Sequence, residues 1–172
     1  MKNSNILHRL IIAATFVIIL TIAVTTIIFF TKNKANTQET VAKAVLTKTY
    51  GASLQYYEKL TNVLTESLED SSILLDYLRT VYGEQLTENG YKVFLDNRIP
   101  TKAAKTAYET NADLKVTAID LEPVDALEGS ERYVFTIRVQ AEKDVSKSFI
   151  FKGSITLIKQ NNQWRVDGIS PE

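Results

Sequence analysis

Ser146, Lys147 and Ser148, in "DVSKS", are the nearest approach this sequence makes to a nucleophile with a base beside it. A Ser-Lys dyad needs the two side chains held within hydrogen-bond reach. The stretch falls in an expected hairpin loop, where polar residues are the rule. Cysteine is absent and His8, in the N-terminal tail, is the only histidine. Ser-His-Asp and Cys-His arrangements, a thiolate nucleophile, a zinc-cysteine site and a disulfide framework are therefore excluded.

Carboxylates cluster twice, at Glu66, Glu69 and Asp70 and at Asp120, Glu122 and Asp125. The first reads as a solvated helix end and the second as a turn around Pro123. Neither has the alternating oxygen ligands and turn glycine of a calcium loop. Gly83, Gly90 and Gly129 stand alone as caps or turns, so no phosphate-cradling glycine loop is present. No catalytic, cofactor-binding or metal-binding residue is assigned, and the chain is not expected to be an enzyme.

One constellation bears on ligand binding. Tyr133, Phe135, Phe149, Phe151 and Trp164 fall on one face of expected strands. They either line a pocket, as inward faces of curved sheets can, or fill a core against Leu54, Tyr57 and Leu64. A catalytic pocket would add an inward acid or base. Arg165 and Asp167 alternate away from Trp164 unless a bulge intervenes, which favours core filling.

The elements that place these residues follow from periodicity. Leu46, Tyr50, Leu54, Tyr57, Leu60, Leu64 and Leu68 are spaced by three or four, one stripe of a long amphipathic helix from Val41 to Leu68, with Gly51 weakening its middle. "LEDSSILLDYLRTVYG" predicts a second helix, capped at Asp70 or Ser71 and ended by Gly83. "TENGYKVFLDNRIP" predicts a shorter one that stops before Pro100, and Thr101 to about Glu109 one or two further turns.

The period then changes to two. "LKVTAIDLEPV", "RYVFTIRVQAE", "KSFIFKGSITLIK" and "QWRVDGI" read as four strands. In the second, Tyr133, Phe135, Ile137, Val139 and Ala141 share one face. The connections "ALEGSE", "KDVS" and "QNNQ" are short and polar, so neighbouring strands pair antiparallel. The fold class is α+β, with helices packed against a curved four-stranded antiparallel sheet. The opposite sheet face carries Arg138, Gln140, Lys152, Ser154 and Thr156. It is solvated, covered by helix or used as an interface.

The first fifth of the chain is different in kind. Leu10 to Phe30 contains 21 residues with no charge, glycine or proline. As a helix it spans roughly 31 Å, the thickness of a bilayer's hydrocarbon layer. The run is longer than a signal peptide's and ends at Lys32 and Lys34 rather than at a small-residue cleavage site. The expected layout is a cytoplasmic tail at 1–9, a transmembrane helix at 10–30, a linker at 31–40 and an extracytoplasmic domain at 41–172. The first 34 residues carry Lys2, Arg9, Lys32 and Lys34 and no acid, while the rest has sixteen Lys and Arg against twenty Asp and Glu. A mildly acidic domain is a poor general binder of nucleic-acid phosphates.

Helices followed by four strands, closing on the hairpin "GSITLIKQNNQWRVDGI", resemble the nuclear transport factor 2-like cone fold. With one membrane helix in front, the layout is similar to the bitopic inner-membrane scaffold subunit of type IV secretion systems, in the form found in Gram-positive conjugative elements. The resemblance implies an extracytoplasmic domain with no enzyme activity, on a single-pass membrane protein whose N-terminus is cytoplasmic; no cofactor is expected. It also implies a role in assembling a DNA-transfer channel through contacts with other secretion-complex proteins and with copies of itself. The alternative is a membrane-tethered domain that holds a small ligand or peptide in the cone.

Overall fold

The structure is a computed structural model that describes residues 37–66 and 71–172. The expected tail, membrane helix and most of the linker lie outside these residues, as do Glu69 and Asp70. Among the described residues no helix is long and apolar enough to cross a membrane.

Helix α1 runs from Gln38 to Tyr50 and buries Ala42, Val45, Leu46, Thr49 and Tyr50, a stripe of three-and-four spacing. Gln38 to Thr40 are thus helical, not linker. The single helix expected over 41–68 is two, because α2 starts afresh at Leu54 and runs to Glu66. The amide of Gly51 still donates to Thr47 O at 2.9 Å, and then the chain turns. Two new acceptors restart it. Ser53 Oγ accepts from Tyr56 N at 3.0 Å, and Asp113 Oδ1, 59 residues away, accepts from Leu54 N at 2.8 Å. First-turn amides have no partner within their own helix, so such acceptors set where a helix begins.

Helix α3, Ser71–Tyr82, leads into a 3-10 turn at Gly83–Gln85. Gly83 sits at φ 57°, a left-handed conformation suited to the end of a helix. Helix α4, Glu88–Asp96, is capped by Thr87, whose hydroxyl accepts from Gly90 N. Helix α5 spans Ile99–Thr110, beginning two residues before the expected Thr101. Pro100 lies in its first turn, where a missing N–H costs nothing, and so opens the helix rather than blocking it.

The sheet is a meander, β1 (Leu114–Val124), β2 (Ser130–Ala141), β3 (Asp144–Gln160) and β4 (Gln163–Pro171), antiparallel and in chain order. The β3–β4 turn is Asn161-Asn162, both at positive φ between paired Gln160 and Gln163, the geometry that matches the twist of a tight hairpin. The expected "KDVS" loop is shorter than read. Ala141 pairs with Asp144, so the turn is Glu142-Lys143, and the next regular pair is Gln140 with Ser148. The surplus residues bulge within β3, where the Gln140 side chain holds Val145 O at 2.6 Å.

The helices cover one sheet face. Helix α1 touches all four strands, α4 packs on β4, and α5 packs on α1 and α2. The buried sheet residues include Phe135, Ile137, Ile155, Leu157, Val166 and Ile169. Leu46, Tyr50, Leu60, Leu78, Tyr82 and Phe94 meet them from the helices.

Trp164 is not at the centre of this core. It lies opposite Lys159, near the last hairpin, and is only partly buried at the core's margin. The expectation that it forms core wall is corrected to core rim. Trp164→Ala should accordingly cost about 1–2 kcal/mol, less than the 3–5 typical of a fully buried aromatic. Thermal unfolding checks this, and a loss within the buried-aromatic range would place the indole in the core after all.

Candidate functional site

The aromatic face is occupied from within. Phe135 is fully buried, and Tyr133 and Phe151 nearly so, whereas Phe149 and Trp164 sit at the margin. Helix α1 delivers Tyr50 onto two of them, with ring centroids 4.9 Å from Phe151 and 5.9 Å from Phe135. Such tilted, offset contacts are favourable ring packing. Leu54 and Tyr57 contribute only partial burial, and Tyr57 instead stacks on Tyr108 at 4.5 Å.

A second group of rings lies between α1, α3 and α4. Tyr82 meets Phe94 edge-on at 5.0 Å, and its hydroxyl lies 3.1 Å from Thr49 Oγ1, which donates to Val45 O. Burial pushes the Tyr82 phenol up to about 12, and burial likewise raises Tyr50 and Tyr56. A raised folded-state value means the fold favours the neutral phenol. That stability is whole below the unfolded value near 10 and is lost as pH rises through about 12. The share of tyrosinate absorbance that comes from these buried phenols should therefore appear together with the loss of circular dichroism, above pH ~10. Smooth ionisation with the fold intact would contradict this burial.

Asp167 is where the alternation read from sequence breaks. Leu157 pairs with Val166 and Thr156 with Gly168, so Asp167 is a bulge residue. Val166 and Ile169, three apart, are consequently both buried. The bulge carries the Asp167 carboxylate to the N-terminus of α4. Oδ1 accepts from Thr87 Oγ1 at 2.6 Å, and Oδ2 and the Asp167 carbonyl each accept from Asn89 Nδ2 at 3.0 Å. Thr87 N donates to Val166 O at 3.0 Å, and Asn97 Nδ2 to Ile169 O at 3.1 Å. These bonds fasten α4 to the outer edge of β4. The Asp167 carboxylate therefore already has its partners within the fold. Sequence reasoning missed this seam; its one local sign was Thr87 placed three residues before Gly90.

Beside the seam, on the outer sheet face, lies a hollow of about 220 Å³ bounded by Asn89, Arg132, Ser154, Thr156, Asp167 and Ser170. Arg132 donates to Ser154 Oγ at 3.2 Å. A second hollow, about 340 Å³, shares Arg132 and Thr156 and is bounded by Ala126 and Leu127 of the β1–β2 connection. Between the helices a third, about 470 Å³, is lined by Lys48, Tyr56, Lys59 and Tyr77. Both of its lysines are engaged: Lys48 Nζ reaches Gln85 Oε1 at 2.7 Å, and Lys59 lies 5.5 Å from the Tyr77 ring centre.

Ser146 and Lys147 do not form a dyad. Ser146 Oγ donates to Asp144 Oδ1 at 2.6 Å and Lys147 Nζ lies 3.9 Å from Asp144 Oδ2, so both turn to the same carboxylate. Those bonds hold the Asp144 carboxyl below its ordinary value, the Ser146 hydroxyl most of all. Asp120 pairs with Arg138 at 2.9 Å. Among the described residues no three acidic or histidine side chains are placed to hold a metal ion. The outer-face residues Arg138, Gln140, Lys152, Ser154 and Thr156 are exposed or half-exposed, with none buried under a helix of the described residues.

No protein-family model matches the chain, and no curated protein matches it. Among solved structures, the chain is similar to a periplasmic fragment of TraM, at 10% identity over 77% of this chain and 92% of that one, with a TM-score of 0.43. It is also similar to a function-unknown protein from Mycobacterium tuberculosis, at 15% identity over 69% and 70% of the two chains, with a TM-score of 0.31. The architecture is α+β, five helices of the described residues and a four-stranded antiparallel sheet.

Proposed function

We propose that this chain is a membrane-anchored assembly component of a conjugative type IV secretion complex, acting through protein-protein contacts. The observation that carries the reading is the occupied inner face. Tyr50 of α1 lies against Phe135 and Phe151, so the space a cone would offer a ligand is taken by the protein's own side chain. What the domain presents to other molecules is its outer surface. The 21-residue apolar segment Leu10–Phe30 supports an anchor, N-terminus cytoplasmic and domain extracytoplasmic. The order of helices and strands, ending in the Asn161-Asn162 hairpin, supports the cone-fold scaffold reading. Neither nucleic acid nor a cofactor enters this function.

The reading predicts that deleting the gene abolishes conjugative transfer and that the full chain, but not one lacking residues 1–34, restores it. In mild detergent the chain should migrate within a complex larger than itself. Protease added to cells stripped of their wall should digest the domain. Unimpaired transfer in the deletion strain, or the chain migrating alone, would end the proposal.

A further inference from the structure

Three arginines project from the sheet, and two have carboxylate partners: Arg138 with Asp120 at 2.9 Å and Arg165 with Glu84 at 3.5 Å. Arg132, the third, has no acidic partner among the described residues and holds only Ser154 Oγ. Asp167, in the wall of the polar hollow, is held instead by Thr87 and Asn89. Arg132 also stands where the two outer-face hollows meet. On one side of it are the hydroxyls of Ser154, Thr156 and Ser170. On the other is Leu127, 85% exposed, in the chain between β1 and β2.

We infer that this groove docks a segment of a partner protein in which an acidic side chain lies next to an apolar one. The carboxylate would take the guanidinium of Arg132, a pairing suited to its planar fork. The hydroxyls of the polar hollow would satisfy the remaining oxygen lone pairs, and the apolar neighbour would cover Leu127 and Ala126. A phosphate fits less well. No lysine lines either hollow, and with Asp167 and Asp125 in the walls the one guanidinium of Arg132 can balance a single carboxylate charge but not a dianion's two. Arginine in the middle of a mixed polar and apolar patch is also the residue type on which binding energy tends to concentrate. This inference rests on the assembly reading and names the surface that assembly would use.

The test uses the full chain in detergent and two fluorescently labelled, blocked tetrapeptides, Gly-Glu-Leu-Gly and Gly-Gln-Leu-Gly, followed by anisotropy. The Glu peptide should bind about tenfold more tightly than its Gln counterpart. Arg132→Gln should erase that difference, and Leu127→Ser should weaken the Glu peptide further. Arg138→Gln, on the same face but already paired, should change nothing. Inorganic phosphate should compete poorly. Equal binding of the two peptides, binding unaffected by Arg132→Gln, or stronger competition by phosphate would each overturn the inference. Migration of the chain in a large complex is scored separately. A full-sized complex with no peptide preference sinks the groove and leaves the assembly reading standing; a free chain sinks the assembly reading whatever the peptides do.

Discussion

Phe135→Ala will lower the free energy of unfolding by about 3–5 kcal/mol, the cost of deleting a fully buried aromatic side chain. Phe135 sits in β2 with Leu121 opposite on β1 and Gly153 opposite on β3, and Tyr50 covers it from α1. Gly153 is part of the same fit. A Cβ there would stand 2.8 Å from the Phe135 ring, so the ring occupies room that only glycine leaves. Neighbours on three sides, two strands and a helix, cannot all collapse into the space the ring vacates. Domains of this size are stable by only about 5–15 kcal/mol, so the variant should lose much of its margin. Chemical denaturation of the domain measures the change. A loss of less than about 1 kcal/mol would mean the inner face is loosely filled, and would reopen the ligand-binding alternative.

Gly90→Ala will destabilise the domain by about 2–4 kcal/mol, although alanine is the better helix former by nearly 1 kcal/mol. The cause is close approach, not backbone freedom. A Cβ on Gly90 would collide with the Val166 carbonyl oxygen and lie 3.3 Å from Thr87 Oγ1. Neither is the flexible end of a long side chain. Helix α4 would have to withdraw from β4, loosening the Thr87 N–Val166 O bond and the pair that Asn89 makes with Asp167. Tyr91 and Phe94, buried on the same helix, would move with it. Lys92→Ala, exposed on α4, is the control and should stay within about half a kcal/mol. If Gly90→Ala proves as stable as the parent, the seam is compliant and its hydrogen bonds do not hold α4 in place.

Both residues show how far local pattern reaches. Phe135 was legible because β2 alternates without interruption, and Tyr133, Phe135, Ile137, Val139 and Ala141 are all buried as read. A strand with one face on a core has a side-chain period of two, and a register slip would bury the wrong set. The Asn-Asn turn was legible for the same local reason, since asparagine tolerates positive φ. The α+β order, the apolar 21-residue segment and the lack of cysteine also belong to the chain read alone. Gly90, by contrast, read as a lone cap or turn glycine, because the atom that forbids a side chain there belongs to Val166.

Tertiary structure decided whatever depends on a partner distant in the chain. The stripe from Leu46 to Leu68 predicts one helix; the acceptor that restarts α2 at Leu54 is Asp113, which only folding brings there. Asp167 was assigned by alternation to the face opposite Trp164, and a bulge turned its carboxylate to α4. The outer groove came from the same source: Arg132, Thr156 and Leu127 meet through strand pairing and one loop. Periods of two and three-and-a-half are properties of the backbone and can be read along a sequence. Caps, bulges and the sharing of a hollow are set by which atoms lack partners once the elements pack, and that is known only in three dimensions.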